Sequence, residues 1–147
     1  LVNKLIESSK FNQGFVNTEL VGAALLDIEW HKLNDGKDVN VAEFEDNVAK
    51  KLGKPEEIGF RYRSTYFNHI FSSDQYAAGY YTYIWAQVLD CDGFEVFTKE
   101  GVFNPKTAAR LKHVLESGND EDPMKLYEGF AGHRPDTDAL LRDKGLK

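Results

Sequence analysis

Two dipeptides, Asn104-Pro105 and Asp122-Pro123, restrict the folds open to this chain more than any other feature. Each places a side-chain acceptor before a residue with fixed φ and no N–H, the combination that opens an α-helix. The helix after Pro105 carries Ala108, Leu111, Val114 and Leu115 as an apolar stripe. The one after Pro123 carries Leu126, Tyr127 and Phe130 and breaks at Gly132 to Pro135. Asp138 to Lys144 supplies a last helical piece. Upstream, Asn40 with Glu43 three residues later approximates a capping box; Val41, Phe44, Val48 and Leu52 follow at helical spacing, and Gly53 and Pro55 close the segment. Phe15 to Leu33, with Leu20, Ala24 and Ile28 in register and Val21, Ala23 and Leu25 beside them, predicts a largely buried helix. Residues 1–10 predict a short helix that Asn12-Gln13-Gly14 interrupts. Asn34 to Asp38 is a loop by composition. Phe60 to Tyr66 alternates aromatic and polar residues and predicts an extended segment or loop. The expectation is an all-α domain of about six or seven helices, with at most a short strand before His69.

At 147 residues, 41% of them apolar and 13% aromatic, the chain can build one domain with a real core. A formal charge of −6 with no basic run argues against nucleic acid as a partner. No apolar run approaches about 18 residues, so no membrane span is expected. The single Cys91 cannot close an internal disulfide, which fits a reducing compartment and favours the cytoplasm. LVNKLIESSKF offers neither an initiating Met nor a signal-peptide pattern, so the chain is expected to begin inside a longer protein.

The chemistry gathers around Tyr76 to Trp85, YAAGYYTYIW, with His69 just upstream. On a helix predicted from about Gln75 to Leu89, continuing past a weak point at Asp92-Gly93 towards Lys99, Tyr76, Tyr80 and Tyr83 share one face. Ala78, Tyr81, Trp85 and Val88 then form the packing stripe opposite. One of Ser72, Ser73 and Asp74 would cap it. Phenols are protonated at pH 7 and can donate to developing negative charge; they can equally reach water or a backbone carbonyl. Arg61 and Arg63 present planar forks that suit carboxylates, either a peptide's C-terminus or, more commonly, an internal acid. Glu19, Asp27, Glu29 and His31 read as ordinary helix surface.

Phe60 to Gln87, FRYRSTYFNHIFSSDQYAAGYYTYIWAQ, resembles the C-terminal active-site segment of the thimet oligopeptidase and peptidyl-dipeptidase family of zinc metallopeptidases. FNQGFxxxExxxAxxLDxxWH, from Phe11, is similar to the stretch that follows that family's zinc-binding helices. The resemblance implies that residues 1–147 are the C-terminal segment of a multi-helical, zincin-like catalytic domain. Its HExxH portion would lie upstream, because none of His31, His69, His113 and His133 begins that motif. Zinc is thus expected in the full-length parent and not in this chain, which alone should be inactive. The resemblance also implies that Tyr76 and Tyr83 donate to the tetrahedral intermediate, that His69 bonds substrate near the scissile bond, and that Tyr80 contacts substrate. Preorganised donors of this kind contribute on the order of 3–4 kcal/mol each. RYRSTYF, YAAGYYTYIW and the terminal LLRDKGLK look closer to the peptidyl-dipeptidase branch, whose substrates are short peptides with a free carboxylate; Arg61 and Arg63 are candidates to bind it. One departure stands out: where many members have a glycine-rich loop, this chain has Ser72-Ser73-Asp74-Gln75. An alternative from a different class is a non-catalytic helical module whose tyrosine face binds peptides or a partner helix.

Overall fold

The computed structural model describes residues 1–147 and contains no strand. Eight α-helices run in order: α1 (Val2–Ser9), α2 (Gln13–His31), α3 (Val41–Lys51), α4 (Asn68–Phe71), α5 (Thr82–Glu100), α6 (Pro105–Ser117), α7 (Pro123–Ala131) and α8 (Asp138–Asp143). Single 3₁₀ turns at Ser64–Tyr66 and Asp74–Tyr76 flank α4. The chain forms two compact units, residues 1–85 and 86–147, and α5 begins in the first and continues into the second.

The predicted caps are in place. The Asn40 side chain accepts the Glu43 N–H at 3.2 Å, Asn104 accepts that of Lys106 at 2.9 Å, and Asp122 accepts those of Met124 and Lys125 at 2.8 and 3.2 Å. Between α1 and α2, Asn12 takes a left-handed φ of 59°, a conformation Asn tolerates better than most residues, and the chain turns there.

In the first unit, Ala23 and Ala24 of α2 pack with Phe67, Ile70 and Tyr80, and Leu20 and Ile84 lie against this cluster. Leu26, Phe67 and Ile70 are essentially sealed from solvent, and burying side chains of this size contributes about 2–3 kcal/mol each. α3 docks on α2 through the Trp30 and Phe44 rings, 4.0 Å apart. In the second unit, Val88 and Val96 of α5, Leu126 and Phe130 of α7, and Ala139 and Leu140 of α8 are buried. The Arg110 side chain of α6 donates to the Phe130 carbonyl at 2.9 Å. Tyr127 donates to the buried Asp92 carboxylate; burial, then that carboxylate, push the Tyr127 phenol well above its ordinary range. Cys91 is half-buried, and burial raises its thiol above the usual value.

Several sequence expectations need correction. There are eight α-helices rather than six or seven, because the one-turn α4 forms around His69, where at most a short strand was expected. The tyrosine helix starts at Thr82, so Tyr76 ends a 3₁₀ turn and Tyr80 sits in the bend that follows. The Tyr76 carbonyl, which in a continuous helix would accept the Tyr80 N–H, instead accepts that of Gly79 at 3.1 Å. Ala78 adopts a left-handed φ of 54°. The stripe opposite also dissolves: Val88 is buried, but Tyr81 and Trp85 are 49% and 40% exposed. No side chain of Ser72 to Asp74 caps α5. On α6, Leu115 is 75% exposed, and the inward positions are Thr107, Leu111 and Val114. Asp92-Gly93 is no weak point, since α5 runs unbroken through it. A Cβ at Gly93 would meet the Phe130 ring at 3.4 Å, so this glycine permits close packing rather than a break.

Candidate active site

The expected cluster forms without the expected helix. His69 comes from α4, Tyr76 from the 3₁₀ turn, Tyr80 from the bend and Tyr83 from the first turn of α5. Their rings nevertheless converge. The His69 imidazole lies 4.8 Å from the Tyr76 ring, 5.8 Å from Tyr80 and 5.9 Å from Tyr83, centroid to centroid. The Tyr83 hydroxyl and His69 Nε2 share a hydrogen bond of 3.2 Å. Tyr80 is buried at the base, edge-on to Phe67 at 5.0 Å, whereas Tyr76 and Tyr83 are each about half exposed. The result is two accessible phenols and an imidazole over a fixed aromatic floor.

Beside them lies an open cavity of about 240 Å³ lined by Tyr62, Tyr66, Phe67, Asn68, His69, Tyr80 and Tyr83. Tyr66, 79% exposed, stands at its rim. Burial pushes the Tyr80 phenol above its usual 10.0, so it stays protonated. The Arg61 guanidinium at the Tyr62 hydroxyl holds that phenol lower.

Arg61 and Arg63 are not part of the ring cluster. Arg61 pairs with Glu19 at 3.3 Å, and Arg63 pairs with Glu45 at 2.7 Å. The commoner reading of this basic pair, an internal carboxylate, is the arrangement found.

Two residues that position the site escaped the sequence reading. Asp27 of α2, read as surface, is fully buried: one carboxylate oxygen accepts the Ala78 N–H at 3.1 Å and the other the Tyr80 N–H at 2.8 Å. These bonds replace the helical partners that this bend forgoes, which is why the tyrosine segment departs from a helix. Glu45 of α3 is also buried and accepts the Ser64 N–H at 2.6 Å, fixing the turn before α4; the Trp30 indole donates to Ser64 Oγ at 2.7 Å. Burial alone would raise the Glu45 carboxyl, but the Ser64 and Arg63 bonds outweigh it and hold it below its usual 4.5. The sequence marks their burial, though not their partners. Asp27 stands four residues after Ala23, and Glu45 three before Val48, so each acid interrupts the buried stripe of its own helix.

Residues 1–146 match the model of Peptidase family M3. The chain is 41% identical to the dipeptidyl carboxypeptidase of Salmonella typhimurium and 39% identical to that of Escherichia coli, over 99% of its own length and 22% of theirs. It is 32% identical to oligopeptidase A of Haemophilus influenzae, over 99% of its length and 21% of the relative's. The chain thus spans about a fifth of the length of these curated relatives.

Proposed function

Because this chain belongs to peptidase family M3, we propose that residues 1–147 form the C-terminal segment of a zinc metallopeptidase catalytic domain that cleaves short peptides and releases C-terminal dipeptides. The observation that carries the reading is the convergence of His69, Tyr76 and Tyr83 from three separate elements onto one accessible patch. Tyr83 and Tyr76 donate hydrogen bonds to charge developing on the scissile carbonyl oxygen. His69 holds Tyr83 and bonds the substrate backbone, while Tyr80 forms the wall beneath. Two of the relatives carry the name dipeptidyl carboxypeptidase, which favours dipeptide release.

The zinc that the resemblance implies finds no donor set in these residues, since no three His, Cys, Asp or Glu side chains converge. Its ligands would lie in polypeptide outside them. For the substrate carboxylate, Arg61 is the better of the two arginines: its bond to Glu19 is longer than that of Arg63 to Glu45, and Glu19 is less buried than Glu45.

Steady-state kinetics of the peptidase carrying Tyr83→Phe test the proposal. The expected result is a kcat lowered about 10²-fold or more with KM little changed, because the hydroxyl acts in the transition state. An unchanged kcat removes Tyr83 from the mechanism; a reading frame with no HExxH ahead of Leu1 would favour the non-catalytic peptide-binding module instead.

A further inference from the structure

Between Tyr76 and Tyr83 the backbone makes a turn that the local sequence does not favour. Ala78 holds a left-handed φ of 54°, which crowds the Cβ of an L-residue against its own carbonyl oxygen. Gly79 follows in so tight a bend that a Cβ there would meet the Tyr76 carbonyl oxygen at 3.2 Å. Such a turn persists only if something outside it holds it. The Asp27 carboxylate takes the N–H on either side of Gly79, one on each oxygen.

Asp27 is itself held. His31 Nδ1 lies 2.7 Å from its Oδ1 and 2.9 Å from its backbone carbonyl. Both neighbours are acceptors, so Nδ1 carries a hydrogen and donates to them. The Ala78 N–H, 3.3 Å from that nitrogen, is therefore left to bond the carboxylate.

We propose that Asp27 is a positioning residue for peptide hydrolysis: by clamping the backbone at Ala78 and Tyr80 it sets the distance and direction between the Tyr76 and Tyr83 hydroxyls and the His69 ring. It touches no substrate and acts through the turn. The inference rests on the proposed function, and it requires both carboxylate oxygens to be acceptors. An amide offers one acceptor and turns an N–H₂ towards a backbone N–H, so Asp27→Asn breaks half of the clamp while preserving shape.

The test compares Asp27→Asn, Leu26→Ala and Tyr83→Phe in the peptidase that carries this chain. Leu26 is as buried as Asp27 and lies next to it on α2, but it bonds nothing in the turn, so Leu26→Ala controls for lost stability. Asp27→Asn is expected to lower kcat about 10- to 100-fold with KM within about threefold, as displaced catalytic groups do. Leu26→Ala should lower Tm at least as far and leave kcat per folded molecule unchanged. Adding Ala78→Gly to Asp27→Asn should recover about threefold or more in kcat, because glycine enters the left-handed turn without the clamp. In the same peptidase variants, the His69 ring ¹⁵N resonances should move in Asp27→Asn and stay in place in Leu26→Ala. Wild-type kcat in Asp27→Asn alongside a large loss in Tyr83→Phe overturns this inference alone, as does an equal kcat loss in Leu26→Ala. Wild-type kcat in both Asp27→Asn and Tyr83→Phe overturns this inference together with the role proposed for the tyrosine site.

Discussion

Glu45 shows how one buried side chain can tie the stability of this fold to pH. Its carboxyl is held below the ordinary 4.5 by the Ser64 N–H and the Arg63 guanidinium. A group whose acidity is strengthened by folding contributes stability above its unfolded pKa and loses that contribution as pH falls through the folded one. Glu45→Gln should therefore cost about 1–3 kcal/mol at pH 7, and the gap from wild type should narrow below pH 4.5; urea titrations of both proteins at pH 7 and pH 3 check the sign. Which residues matter at this scale was only partly legible. That His69, Tyr76, Tyr80 and Tyr83 come together could be read from the motif they share. Asp27 could not, because the N–H groups that justify burying it lie 51 and 53 positions further along the chain. Periodicity marks where an acid interrupts a stripe but not what it meets there.

At the scale of elements, the signals with a local mechanism were the ones that could be read. Asn40, Asn104 and Asp122 cap the helices they were expected to cap, since a cap needs only its own first turn. Asp122→Ala should thus lower stability by about 1 kcal/mol through α7, measurable as a drop in Tm. The start of α5 was misread for the converse reason. YAAGYYTY has helical spacing, but a carboxylate from α2 offers two of its N–H groups a better partner than the preceding turn does. The converging phenols were expected on one helix face and instead come from a 3₁₀ turn, a bend and a helix end. Residue type survived where secondary structure did not.

For the whole molecule, apolar side chains left facing solvent are the feature with the broadest reach. Leu1 is 94% exposed, Phe11 82% and Phe103 97%, and α1 buries none of its residues. Surfaces of this kind associate in water, so sedimentation velocity on the 147-residue chain should show a sedimentation coefficient that rises with concentration. Replacing Leu5 and Phe11 by Ser should flatten that dependence. No helix is long and apolar enough to cross a membrane. Cys91 gives the molecule a built-in clock. It is the one thiol in the sequence, partly shielded on α5 and less acidic than a free cysteine, so alkylating reagents reach its thiolate slowly until residues 86–147 open. Each chain can be struck only once, and the rate of that single event climbs as the second unit comes apart.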